Sequence, residues 1–348
     1  MNELDFMVRV NCITYNHARY IEDAMNGFCM QKTSFPFVCV IVDDASTDGE
    51  PEVINNYLQV HFMMEDKSVV RNEETEEYFL TFAQHNTNPN CFFAVFLLKY
   101  NHFVIKKSKK PYFEKFNNSK YIAMCEGDDF WRNSKKLQMQ VDELESNPSH
   151  VLCYTNYVAL LEDGRFENAN ITDLPGNDNY SMSQIIKGNK IATLTVLYSA
   201  DAYKKIPRLF STKLKMSDLP LWIELSQVGL FKYIPEVTAV YRILSNSASH
   251  STDINKRVDF IRSTFEIKKF YADYYQKNLK SNYLETKMYE ALLNEAFLSK
   301  DIELSRALFK EAKSRNINSF DLWKTYILTA YPTNPLVLLY LNLRKRIK

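Results

Sequence analysis

The sequence predicts an α/β fold, with a mostly parallel sheet flanked by helices and a helical C-terminal region. Three observations carry that prediction. Strand-like and helix-like patterns alternate through residues 8–61, which by the right-handed crossover rule lays parallel strands side by side. A continuous apolar run, "FVCVIV" at 37–42, has the length and composition of a strand buried on both faces. From about residue 255 the apolar spacing becomes helical and remains so.

In chain order, "VRVNCIT" (8–14) alternates partly, is rich in β-branched residues and reads as a strand ending in the polar turn Tyr15-Asn16-His17. Over 18–30, Tyr20, Ile21, Ala24, Met25 and Phe28 share one helical stripe, and Pro36 ends it ahead of the second strand. "DDASTDG" is turn chemistry before a helix from about Pro51. Residues 62–118 carry weaker signals, with a strand expected at 92–98 and a helix at about 109–117. "KYIAMC" (120–125) is the third strand of the parallel set. A helix at 134–145, strands at 151–161 and 191–200 and a helix at 219–227 follow. The helical region opens near Asn255, with a hairpin built from Met288–Phe297 and Asp301–Arg315. The domains expected are 1–254 and 255–348.

Parallel strands expose their C-terminal loops in one crevice, where open α/β sheets bind ligands. Thr14-Tyr15-Asn16, Asp43-Asp44 and the loop "EGDD" at 126–129 should therefore be neighbours.

Composition excludes several classes. Lys+Arg 43 against Asp+Glu 42 leaves a formal charge of +1, so no global field draws the chain to nucleic acid. Glycine is scarce (7), and neither the P-loop nor the Rossmann glycine pattern occurs. The six cysteines lack CxxC spacing, which argues against a zinc knuckle and against a disulfide framework. The opening "MNELDFMVRV" has no signal-peptide pattern and no uncharged run approaches a membrane span, so a cytoplasmic protein is expected. The ending "PLVLLYLNLRKRIK" reads as an apolar helix with a basic tip, suited either to docking on the domain or to resting on an anionic inner-membrane surface.

Glu126, Asp128 and Asp129 put three carboxylates into four positions. A helix or turn cap needs one carboxylate, and like charges this close repel unless a cation joins them. Mg2+ or Mn2+ takes oxygen ligands and commonly uses one or two protein carboxylates plus phosphate oxygens, so a metal–diphosphate site is the economical reading. Asp43 or Asp44 can accept from a base N–H or a ribose hydroxyl, or cap the next helix, a role to which Asp48 has equal claim.

"NCITYNHARYIEDAMNGFCMQKTSFPFVCVIVDDASTDG" resembles the N-terminal signature of the family-two inverting glycosyltransferases of the GT-A fold. "YIAMCEGDDFW" is similar to the family's D-x-D segment in the form found in bacterial capsule and lipopolysaccharide enzymes, and "MSDLPLWIELSQVGLFKYIPEVTAVYRILSNSASHS" (216–251) to its third block. The resemblance covers residues 8–251. It implies a nucleotide-diphosphate sugar donor, a UDP-sugar by preference, and a glycan or lipid-linked acceptor hydroxyl in bacterial surface-polysaccharide synthesis. It implies that Asp43 holds the base, that Thr14 and Tyr15 lie beside the nucleoside, and that Asp128 and Asp129 hold ribose and metal, with Glu126 where many members have Asp. Asp218 is implied as general base; the residues alone equally allow a cap on "LPLWIEL". Trp222 is a candidate floor for a sugar or a core residue, and His250 matches a position that in some relatives reaches metal or diphosphate. Arg242 reads as a phosphate partner or a strand-end salt bridge, and Lys106, Lys107, Lys109 and Lys110 as a solvated face. The family's Gly/Arg/Asn-containing nucleotide segment is absent from 62–110. Two other readings are a catalytically silent sugar-nucleotide binder of the same fold, with the helical region as partner surface, and a nucleotidyltransferase, whose Gly-rich basic loop is missing.

Overall fold

Two register-matched parallel strands, β1 (Val8–Thr14) and β2 (Phe37–Asp43), form the centre of the sheet, joined through helix α1 (Ile21–Cys29). The computed structural model describes residues 5–168, 180–209, 216–245, 251–276 and 282–334. Every residue of β2 is buried. Phe37, Cys39 and Ile41 belong to one apolar cluster, with Phe28 and Trp131, while Val38, Val40 and Val42 belong to another with Phe6, Phe92 and Phe96. That two-sided burial is why the run is continuously apolar instead of alternating.

The first part of the chain continues through α2 (Glu50–His61), β3 (Arg71–Glu74), β4 (Tyr78–Gln84), β5 (Cys91–Leu98), α3 (Lys110–Glu114), β6 (Tyr121–Met124) and β7 (Phe130–Trp131). There follow α4 (Lys136–Ser146), β8 (His150–Leu161), β9 (Phe166–Asn168), α5 (Met182–Lys187), β10 (Val196–Ser199), α6 (Ala200–Lys205), α7 (Asp218–Leu225) and β11 (Leu230–Ile243). The strands form one sheet in the order β3-β4-β5-β2-β1-β6-β10-β8-β11-β7, with β9 on β8.

The expectation of parallel strands holds for β5-β2-β1-β6 and for the β8–β11 pair. The flanks do not follow it: β3–β4, β4–β5, β6–β10, β10–β8, β11–β7 and β8–β9 are antiparallel, so the sheet is mixed. Strand β3, "RNEE", was not legible because it is exposed throughout, and a charged sequence is how an edge strand avoids pairing with other chains; β4, "YFLTFAQ", buries Tyr78, Leu80 and Phe82 in alternation and was missed. The predicted strand 191–200 shortens to β10. Its first part is a 3-10 turn, Thr193–Thr195, closed by the Thr195 N–H and hydroxyl donating to the Ala192 carbonyl at 3.0 and 2.7 Å. Helix α3 is likewise shorter than the expected 109–117.

The chain divides into two compact units, one of residues 1–185, 189–207 and 224–243, and the other of residues 186–188, 208–223 and 244–348. The second contains α8 (Ile254–Tyr274), α9 (Tyr283–Leu298), α10 (Ile302–Ser314) and α11 (Phe320–Ala330), the expected helical region with its hairpin. Tyr289, Leu292, Leu293 and Ala296 of α9 pack with Leu308 and Ala312 of α10 and Leu322 of α11. Arg257 pairs with Glu295 at 2.7 Å and Arg262 with Glu311 at 2.8 Å, while Asp253, Asp301 and Ser319 cap their helices. The basic ending 335–348 lies outside the described residues.

Candidate active site

The parallel register brings the predicted loops together. Thr14 stands opposite Asp43, and Asn11 opposite Met124. Beyond Met124 the chain keeps running along β1: the Cys125 and Gly127 N–H groups donate to the Asn11 and Ile13 carbonyls at 3.2 and 3.1 Å. The carboxylate-rich loop is thus laid against Thr14. A Cβ at Gly127 would lie 2.1 Å from the Thr14 hydroxyl oxygen and 2.6 Å from its Cβ, so this approach requires glycine.

Sequence reasoning missed the residue that organises the next layer, Glu50. Its carboxylate is fully buried and accepts from the Thr14 hydroxyl, from the His17 N–H at 2.8 Å and from the Ser46 hydroxyl at 2.9 Å. Asn16 and Ser46 lock the two loops from opposite sides, the Asn16 N–H donating to Ser46 Oγ and the Thr47 N–H to Asn16 Oδ1, both at 2.8 Å. Asn16 and Ala45 both hold left-handed backbone, at φ 56° and 60°, a conformation that non-glycine residues adopt where surrounding structure enforces it. The only signal in sequence was a Glu at the first helical position after the "DDASTDG" turn.

Asp43 and Asp44 are adjacent and do different work. Asp44 accepts from the His102 and Phe103 N–H groups at 2.7 and 3.2 Å and pairs with Lys109 at 2.7 Å, so it anchors the loop after β5. Asp43 is 1% exposed; its Oδ2 accepts from the Ser46 N–H at 3.1 Å, while its Oδ1 is buried with no hydrogen-bond partner among the described residues. Burial pushes its pKa up to about 6, against the pull of the Ser46 hydrogen bonds. A buried acceptor left over at the mouth of a crevice is a place for a ligand's donor.

In the "EGDD" loop the three carboxylates separate. Asp129 is buried, and its Oδ1 accepts from the Arg242 backbone N–H at 2.8 Å. Burial, then Asp128 and Glu126, raise its pKa well above the carboxylate range. Asp128 keeps its side chain 19% exposed, with His17 Nε2 at 3.9 Å. Glu126 is half-buried. The Arg242 guanidinium donates to the Asp128 carbonyl at 2.7 Å, pairs with Asp23 on α1 and lies 4.6 Å from the Phe130 ring centroid. Of the two sequence readings of Arg242, the salt bridge is the one formed. Trp131 fixes the far end of the loop, its indole N–H donating to the Leu194 carbonyl at 2.8 Å and its ring packing edge-on to Phe28.

Of the remaining predicted residues, Tyr15 is exposed beside Thr14, whose own side chain is buried and engaged by Glu50 and His17. Asp218 is the first residue of α7, where an acidic side chain suits the helix N-terminus, and Trp222 on the same helix is fully buried; both belong to the second compact unit. His250 lies outside the described residues. No group of three or more His, Cys, Asp or Glu side chains is arranged to hold a metal among the described residues. The donor set fits a cation held by the partly exposed carboxylate of Asp128, with the half-buried Glu126 beside it in the loop and substrate oxygens as further ligands.

Residues 10–78 match the family model described as Glycosyl transferase family 2. The uncharacterized protein Rv1520 of Mycobacterium tuberculosis is 27% identical over 246 residues, which are 70% of this chain and 61% of that protein. The chain thus spans less than two thirds of the length of that relative. TuaG of Bacillus subtilis, named for a glycosyltransferase role in teichuronic acid biosynthesis, is 24% identical over 251 residues, 70% of this chain and 81% of that protein. Among solved structures, residues 1–349 of S. aureus TarS align over 93% of this chain and 90% of that chain at 13% identity and a TM-score of 0.46. The mannosyltransferase PcManGT of Pyrobaculum calidifontis, in complex with GDP-Man and Mn2+, aligns over 94% and 87% at 14% identity and a TM-score of 0.49. Among the described residues no helix is long and apolar enough to cross a membrane.

Proposed function

We propose that the chain is a glycosyltransferase of family two, whose model its residues 10–78 match, and that it transfers a sugar, with inversion, from a UDP-sugar to a hydroxyl of a surface-glycan or lipid-linked acceptor. The observation that carries the donor assignment is the buried, partnerless Oδ1 of Asp43. Asp43 stands opposite Thr14, against which the "EGDD" loop is laid on the other side, and its free oxygen suits the N–H of a uracil ring. Tyr15, exposed at the end of β1, is available to cover the nucleoside. Asp128 takes the diphosphate end of the site. The chemistry a divalent cation supplies when bound there is neutralisation of charge on the departing diphosphate. Asp129 and Glu126 act in this reading by shaping the loop, Asp129 through the Arg242 N–H. Asp218 is the proposed general base, removing the acceptor hydroxyl's proton, and Trp222 a packing residue of its helix.

Calorimetry with UDP and GDP, with Mn2+ and with chelator, tests the nucleotide assignment. UDP should bind more tightly than GDP, the preference should vanish in Asp43→Ala, and Asp128→Asn should lose the metal-dependent part of the affinity. Release of UDP from a panel of UDP-sugars, abolished in Asp218→Asn with binding retained, supports transfer. Binding without turnover of any donor supports a silent binder instead, and equal affinity for UDP and GDP in the wild type and Asp43→Ala overturns the base site.

A further inference from the structure

His17, at the end of the polar turn after β1, is held at both ends of its backbone. Its N–H donates to the buried Glu50 carboxylate at 2.8 Å, and its carbonyl accepts from the Tyr20 and Ile21 N–H groups at 2.7 and 2.9 Å. Asn16 before it turns the chain in left-handed backbone, φ 56°. From this fixed backbone the imidazole spans two parts of the site. Its Nδ1 lies 3.1 Å from Thr14 Oγ1, and its Nε2 lies 3.9 Å from Asp128 Oδ2. The His17 side chain is 23% exposed and that of Asp128 19%, so both are open to a ligand in the crevice.

The hydrogens decide which ring nitrogen keeps its lone pair. The Thr14 hydroxyl has one hydrogen and donates it to Glu50, so toward His17 its oxygen can only accept. Nδ1 therefore carries the ring N–H, and in the neutral imidazole Nε2 presents its lone pair to the Asp128 carboxylate. Two acceptors facing one another call for a cation. Among the described residues no lysine or arginine supplies it, because Arg242 donates to the Asp128 backbone carbonyl and pairs with Asp23 instead. A separation of 3.9 Å is too long for a hydrogen bond, whereas two ligands each about 2.1 Å from one divalent ion stand roughly 3–4 Å apart. The chain of Glu50, Thr14 and His17 is also how proteins prepare a metal-binding imidazole, with an oxygen acceptor on the far nitrogen fixing tautomer and direction.

We propose that His17 is a second protein ligand, through Nε2, of the divalent cation at Asp128. The inference rests on Asp128 holding that cation and adds a nitrogen ligand to it. Mn2+ affinity of the full chain with UDP present, followed by the electron paramagnetic resonance of free Mn2+, should fall about tenfold or more in His17→Ala and His17→Gln. UDP affinity in chelator should match the wild type in both, which separates a lost ligand from a damaged nucleotide site. Thr14→Val, lacking the hydroxyl that holds the ring, should lose about tenfold in Mn2+ affinity, and Thr14→Ser should keep the wild-type value. Electron spin echo modulation of the bound Mn2+ should show a directly coordinated nitrogen in the wild type and none in His17→Gln. The preference for Mn2+ over Mg2+ should narrow in the same variant, since Mg2+ favours oxygen ligands.

Asp128→Asn sorts the outcomes. If it abolishes Mn2+ binding while the His17 variants bind as the wild type does, Asp128 keeps its cation and the His17 assignment is overturned. If the wild type binds no Mn2+, or Asp128→Asn binds it equally well, the cation at Asp128 is overturned and His17 with it. His17 variants that lower the melting temperature but not Mn2+ affinity, or a bound Mn2+ without coordinated nitrogen, reduce the contact to an ion pair or a water bridge and overturn the proposal.

Discussion

The backbone N–H of Arg242, near the end of β11, donates to the Asp129 carboxylate at 2.8 Å, tying the two sequence blocks "EGDD" and "VYR" into one structure. Burial and the neighbouring Asp128 and Glu126 hold the Asp129 pKa well above the carboxylate range, so what the site asks of this side chain is an acceptor oxygen, with or without charge. Asp129→Asn keeps such an oxygen and should be as stable as the wild type in urea denaturation. Asp129→Ala leaves the buried N–H without a partner and should lose about 1–3 kcal/mol. Equal losses in both variants would show that the charge itself holds the loop.

Arg242 carries a second test through its side chain, which is 7% exposed and bridges the Asp128 carbonyl, Asp23 and the Phe130 ring. A lysine supplies a charge but not a planar fork able to serve an acceptor on each side. Arg242→Lys should therefore fall close to Arg242→Ala in stability, each losing about 1–3 kcal/mol as the hydrogen bond to the Asp128 carbonyl is lost, the half-exposed Asp23 adding little. Thermal unfolding monitored by circular dichroism decides this, and a lysine variant that melts with the wild type removes the fork argument.

Gly127 tests whether the close approach to Thr14 is required. An added methyl would meet Thr14 Oγ1 at 2.1 Å and Ile21 Cδ1 at 3.1 Å, and Thr14 is itself held by Glu50 and His17, so it has little room to yield. Gly127→Ala should destabilise by about 1–3 kcal/mol and weaken UDP binding through displacement of the loop. Gly188→Ala, where nothing lies within 4 Å of the added carbon, is the control and should stay within about 0.5 kcal/mol of the wild type.

These tests also mark how far the sequence could be read. Strand β1 was legible to the residue because its β-branched residues end at a polar turn, and β2 because burial on both faces writes an unbroken apolar run. The parallel register then followed from topology, and with it the meeting of Thr14, Asp43 and the "EGDD" loop. What stayed hidden depended on partners distant in sequence. Glu50 looks like any acid at a helix start, yet is fully buried because Thr14, His17 and Ser46 surround its oxygens. Asp43 and Asp44 are indistinguishable as letters; only the loop after β5 separates an anchored carboxylate from one with an oxygen left over. The outermost strand, β3, was invisible because an exposed strand carries no apolar period.

Asp43 gives the strongest pH prediction. Its carboxyl ordinarily titrates near 3.8, and burial in the folded chain pushes it up to about 6. Between those values the folded state binds more protons than the unfolded one, so stability falls as pH rises from about 4 to about 6, by on the order of 2 kcal/mol, and stays lower above that range. Other carboxylates titrate over the same interval, so the measure is the difference between the wild type and Asp43→Asn, which does not titrate at this position. The variant should gain on the wild type through that interval and be the more stable protein at neutral pH. Nucleotide binding runs the other way. A uracil N–H donating to Oδ1 favours the ionised carboxylate, so UDP affinity should rise with pH through about 6 as the proton is displaced, and the rise should be absent in Asp43→Asn. Urea denaturation and calorimetry across this pH range read both effects in one pair of proteins. A wild-type affinity that ignores pH while the stability difference follows it would leave Asp43 a buried acid without a base to hold.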